Sequence, residues 1–126
     1  MRNIIAFFLF CQFVSCASGP VETPEETTPD KLIQLGQEAS DKNKYDQAIQ
    51  YYQAVTDKFP TQIDSVCSAE YEIAFIHYKQ KKYDVARQEL NALLARYNEP
   101  DAELLPGEYR ILANIALNKM AANKNE

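Results

Sequence analysis

The side chains with types suited to catalysis or metal binding are one histidine, three cysteines and a few acidic pairs. His77 is the only histidine, and Cys67 has no second thiol at ligand spacing, so neither can begin a conventional zinc site. His77 falls in a helical pattern on the apolar side, next to Tyr78, where a packed and hydrogen-bonded histidine is expected. Glu25 and Glu26 lie in a stretch rich in Pro and Thr that fixes no geometry. Glu70 and Glu72 are two apart on a helical stretch, so their carboxylates leave in different directions. There is no Gly-rich phosphate loop. The chain reads as a non-enzyme, with no cofactor and no metal expected.

One cysteine has a different context. Residues 1–16 read MRNIIAFFLFCQFVSC, with Arg2 ahead of an apolar run from Ile4 to Val14 that only Cys11 and Gln12 interrupt. Such a run is too short to span a hydrocarbon layer of about 30 Å and has the form of an export signal. Ser15 precedes Cys16, and Ala17, Ser18 and Gly19 follow it. Phe13-Val14-Ser15-Cys16 resembles the bacterial lipobox, usually Leu-Ala/Ser-Gly/Ala-Cys, and departs from it at Phe13. The resemblance implies cleavage before Cys16 and fatty acylation of the new N-terminus. One acyl chain contributes roughly 0.8 kcal/mol per buried CH₂ and holds only reversibly. The two or three chains that such lipoproteins carry imply permanent anchoring. An ordinary signal cut after Ala17 is the alternative.

The expected organisation is a signal peptide over residues 1–15, a lipidated Cys16 with a flexible tether to residue 29, and a helical domain over 30–126. The tether sequence ASGPVETPEETTP has one large apolar residue, Val21, and cannot bury enough surface to fold. Its reach lies between ~20 Å as a coil and ~40 Å as extended polyproline. Without the signal only Cys67 remains besides the acylated residue, so no disulfide framework is available and a buried thiol is expected.

The formal charge is −5, or −6 once Arg2 is removed, and the densest basic cluster is Lys79, Lys81 and Lys82. Nucleic-acid binding needs a concentrated basic face, and charge-driven attachment to anionic lipid needs a basic surface; both classes are excluded. Three glycines in 126 residues, with 46% hydrophobic and 25% charged side chains, suit a helical globular domain.

The elements that position these residues repeat. Lys44-Tyr45-Asp46 and Lys82-Tyr83-Asp84 are 38 residues apart, and at that offset Leu35 meets Ile73, Gly36 meets Ala74, Ala48 meets Ala86, Tyr52 meets Leu90 and Val55 meets Leu93. All are apolar or small positions, as a repeated packing unit requires. Leu32, Leu35, Gly36, Tyr45, Ala48, Tyr52 and Pro60, with Ile73, Ala74, His77, Tyr83, Ala86, Leu90 and Leu93 after them, resemble the tetratricopeptide repeat (TPR), a helix–turn–helix of 34 residues. Ala39 stands where that family prefers an aromatic, Pro100 comes two residues late, and Thr61–Val66 form a longer connection. The resemblance implies an all-α superhelix of about five helices, two repeats and a capping helix. The pattern places them at 29–42, 45–59, 65–80, 83–98 and 106–123, with Pro29 and Pro106 at first helical positions and Pro60 and Pro100 ending the second helix of each pair. Gly36 lies inside a helix, where it costs about 1 kcal/mol against alanine. It implies close approach of a neighbouring helix, with Ala48 and Ala86 as facing residues.

The family's concave groove positions carry over to Ile33, Gln37 and Ser40, to Tyr71, Phe75, Tyr78 and Lys79, and to Arg110 and Asn114. Tyr71, Phe75 and Tyr78 form either an exposed aromatic cluster rimmed by Lys79 and Arg110, suited to a peptide, or core covered by the fifth helix. The Lys/Asn set with which some TPR domains clamp a C-terminal carboxylate is absent. The resemblance therefore implies a membrane-anchored adaptor that binds another envelope protein, facing the periplasm or cell surface, with the outer membrane favoured. Two alternatives stand beside it. An enclosed pocket between helices 1, 3 and 5 would indicate a ligand-binding lipoprotein serving a transporter. An open apolar face along helix 4 or 5 would indicate a structural homo-oligomer.

Overall fold

The computed structural model describes residues 19–123; the expected export segment, with Cys11, and the expected acylation site at Cys16 lie outside the described residues. Thr28 is extended, its side-chain oxygen accepts from the Lys31 amide at 3.2 Å, and Pro29 occupies the first turn, where its missing N–H is no loss. From that cap runs α1 (Pro29–Asp41), followed by α2 (Tyr45–Lys58), α3 (Ile63–Lys79), α4 (Tyr83–Arg96), a single 3₁₀ turn at Ala102–Leu104, and α5 (Gly107–Ala122). No strand occurs among the described residues. Each helix packs on the next, and α3 also touches α1 and α5. The helices thus form two layers, α1–α3–α5 and α2–α4, in an all-α stack of helical hairpins.

The helix ends fall within two residues of the sequence pattern, and two of the differences bear on how the hairpins connect. The residues added after Pro60 lengthen α3 at its start instead of forming a loop to Val66; Gln62 N donates to Phe59 O and α3 begins at Ile63. Pro106 stands just outside α5, at φ −64° and ψ 121°, with Gly107 as the first helical residue.

The turns inside the two hairpins are copies of each other. Asn43 and Lys81 both adopt left-handed backbone, with φ of 55° and 61°. Asn43 N donates to Ser40 O and Lys44 N to Ala39 O; 38 residues on, Lys81 N donates to Tyr78 O and Lys82 N to His77 O. Asparagine tolerates this conformation, whereas a lysine pays a steric cost in it. Lys81→Gly is therefore expected to stabilise the domain by about 0.5–1 kcal/mol, raising the thermal midpoint by about 2–8 °C. A midpoint unchanged or lowered would contradict that reading of the turn.

Two apolar clusters share α3. Leu32, Ala39, Ala48, Tyr52, Val55, Ala69 and Ile76 join α1, α2 and α3. Cys67, Tyr71, Ala74, Ala86, Leu90, Leu93, Ala113, Ala116 and Met120 join α3, α4 and α5. Successive small residues along α3 (Cys67, Ala69, Ala74) let it be approached from both sides. The neighbour pressed on Gly36 is not an alanine, as the sequence suggested, but the Tyr52 ring. A Cβ built on Gly36 would lie 2.7 Å from its Cε1 and Cζ.

Candidate partner-binding face

The layer α1–α3–α5 is the inner face of the stack. Along α3, Glu72, Phe75 and Lys79 follow at spacings of three and four and so share one stripe. The Lys79 ammonium lies over the Phe75 ring at 5.2 Å from its centroid, and Lys79 Nζ donates to Ser40 Oγ at 3.5 Å, joining α3 to α1. Ile33 is half-buried on α1 and packs on the first cluster, and Gln37 is exposed. On α5, Asn114 is exposed and its Nδ2 donates to Arg110 O in its own helix.

The aromatic residues form a row across the second cluster. Tyr71 stacks on Phe75 at 5.8 Å, Phe75 on Tyr78 at 5.6 Å, and Tyr78 meets Tyr83 at 5.8 Å; at the other end Tyr71 meets Tyr109 at 6.0 Å. Tyr71 is only 9% exposed, beneath α5, whereas Phe75 and Tyr78 are half-buried. Ser40 is 7% exposed. Lys79 caps the row as expected, but Arg110 does not: its guanidinium lies over Tyr97, 5.8 Å from the centroid, while the Tyr97 hydroxyl donates to Pro106 O at 2.6 Å. Arg110 in the first turn of α5 and Lys79 in the last turn of α3 therefore do not flank a single aromatic cluster.

Glu72 is the residue that sequence spacing passed over. No hydrogen bond or ion pair is found for it among the described residues, and it is half-buried. Burial pushes its carboxyl above the ordinary value, with Lys79 opposing. Burial also raises the Tyr71 and Tyr109 hydroxyls, and the Glu72 charge adds to both shifts. The folded domain holds the Glu72 proton more tightly than the unfolded chain does. This group's contribution is thus most favourable below the ordinary carboxylate value and declines as pH rises through the window up to the folded value. Glu72→Gln is expected to raise the urea midpoint at pH 7 and leave it unchanged at pH 3. A variant no more stable than the parent at pH 7 would remove Glu72 from the costly groups.

Elsewhere α3 and α4 are tied by polar side-chain pairs. His77 Nδ1 lies 2.7 Å from Glu89 Oε2, and Arg96 pairs with Glu70. Between these pairs lies a recess of about 290 Å³ lined by Glu70, Ile73, Glu89, Ala92, Leu93 and Arg96. A second, of about 310 Å³, lies among Lys81, Tyr83, Arg87 and Met120. Neither joins α1, α3 and α5. The Cys67 thiol is fully buried, and burial raises its pKa.

Ahead of α1, residues 19–28 contain no helix or strand, yet they touch the outer layer. Val21 N donates to Gln50 Oε1 at 3.0 Å, and Lys58 Nζ donates to Thr23 Oγ1 at 2.7 Å. Residues 21–23 thus lie along α2.

Stacked helical hairpins with a shared inner layer define a class of repeat proteins whose extended concave surfaces bind other macromolecules. The two hairpins match the tetratricopeptide repeat over residues 32–61 and 68–98, and the chain carries a tetratricopeptide-repeat domain. It is similar to an uncharacterized protein of Treponema pallidum (strain Nichols), at 37% identity over 121 residues, which is 94% of this chain and 47% of that protein. The chain thus spans about half the length of this relative. No solved structure matches it.

Proposed function

We propose that the chain is a lipid-anchored adaptor of the bacterial envelope, with Cys16 as the acylated residue and the α1–α3–α5 layer as the surface that receives a segment of another protein. The observation that carries the reading is the half-buried, unpaired Glu72 on that layer, beside the partly exposed Phe75–Lys79 pair. A carboxylate kept there at a cost to stability suits a partner that brings a cationic group to it. Neither recess joins α1, α3 and α5, which favours the adaptor over a small-ligand carrier.

The contact of residues 21–23 with α2 supports the geometry of anchoring. Cys16 is five residues before Val21, so the acyl chains start within about 18 Å of Val21. The lipid would then lie on the α2 side, with the inner layer turned away from it. No helix among the described residues is long and apolar enough to cross a membrane, so a membrane attachment would have to come from elsewhere.

Metabolic labelling with a fatty acid, combined with the mass of the mature chain, tests the anchor. The expected outcome is an acylated product that begins at Cys16 and stays with membranes. Cys16→Ser is expected to leave the unprocessed, unlabelled precursor. An unlabelled mature chain beginning at Ser18 would instead assign an ordinary signal peptide.

A further inference from the structure

The last helix carries a second surface, independent of the inner layer. Tyr109, Ala113, Ala116 and Met120 turn α5 toward α3 and α4. On another face, Ile111, Leu112 and Ile115 are 60%, 37% and 46% exposed. Glu108 precedes this trio by three residues and Lys119 follows it by four, so all five side chains share one face of the helix. The face spans about 16 Å from the acid to the base. Neither Glu108 nor Lys119 takes part in the ion pairs found among the described residues.

This pattern is complementary to itself. If a second α5 is laid antiparallel so that Leu112 meets the second copy's Ile115, Glu108 meets the second copy's Lys119. The two-fold axis then repeats both contacts, so two apolar contacts are bracketed by two opposite-charge pairs. A parallel arrangement would instead set Glu108 against Glu108 and Lys119 against Lys119. An isologous interface requires one patch that matches itself in this way. We propose that the exposed face of α5 is a homodimer interface, with the two copies paired antiparallel through Ile111, Leu112 and Ile115 and registered by Glu108 and Lys119.

The test is sedimentation equilibrium of the full chain in density-matched detergent, with circular dichroism to show that each variant is folded. The parent chain is expected to sediment as a dimer and Ile115→Asp as a monomer. Glu108→Lys and Lys119→Glu should each weaken the dimer about tenfold, since each turns two attractions into repulsions. Glu108→Lys combined with Lys119→Glu should restore it to within about threefold of the parent. A parent chain monomeric throughout the micromolar range would overturn the proposal. If the thiol of Ile111→Cys were nevertheless shielded from a maleimide, the face would belong to another occupant, a different protein or a further segment of this chain. A dimer that Ile115→Asp leaves intact, or one that the double exchange fails to restore, would overturn it equally.

Discussion

Gly36→Ala is expected to destabilise the domain by about 2 kcal/mol, although alanine is the better helix former by about 1 kcal/mol. The added methyl would meet the Tyr52 ring at 2.7 Å, and that ring is fully buried, so it has nowhere to move. The effect should depend on that ring. Tyr52→Leu alone opens a cavity and should cost about 2–4 kcal/mol. It sacrifices no hydrogen bond, because the Tyr52 hydroxyl is buried without a partner. In the Tyr52→Leu background Gly36→Ala should become neutral or stabilising, giving a coupling energy of about 2–3 kcal/mol. Denaturant unfolding of the four proteins measures it. A Gly36→Ala change that is neutral in both backgrounds would mean the hairpin is not clamped at this point.

Ala113→Asp is expected to cost at least about 3 kcal/mol, because it places an unpaired charge in the second cluster. Ala113 is fully buried between α5 and its neighbours, while Asn114 beside it is exposed. Asn114→Asp has the same new carboxylate one position along the helix and should change stability by less than about 0.5 kcal/mol. Since α1 and α2 pack through the other cluster, hydrogen exchange in the Ala113→Asp protein should speed up in α5 and α4 first, with α1 and α2 keeping more of their protection. Equal loss across all five helices would show that the two clusters act as a single unit.

The repeated architecture was legible in the sequence because a 38-residue offset aligns residues that every hairpin needs. The turns at Asn43 and Lys81 obey the same offset down to their hydrogen bonds. Rotation of a helix about its axis was less legible, since it depends on what the neighbours bring. Gly36 signalled a close approach, yet its contact is a tyrosine from one turn further along α2 than Ala48. Tyr71 and Tyr78 read alike in the sequence, but α5 closes over Tyr71 and leaves Tyr78 half-buried. Arg110 was expected at the rim of the Tyr71–Phe75–Tyr78 cluster and lies over Tyr97 instead. Glu72 was passed over because a two-residue spacing from Glu70 argues only against an acid pair. It says nothing of a single carboxylate against aromatic rings. Val21 was the one large apolar residue of the expected tether, and it is the residue whose amide meets α2.

The inner layer as the binding surface is most directly tested by a photocrosslinking amino acid placed singly at Gln37 and Lys79 on α1 and α3, and at Gln53 and Gln88 on α2 and α4. All four are exposed, so the fold should tolerate each. In intact cells, both inner positions are expected to capture the same partner at one mass, and both outer positions to capture none of it. Capture of that partner from Gln53 or Gln88 alone, with Gln37 and Lys79 silent, would contradict the assignment.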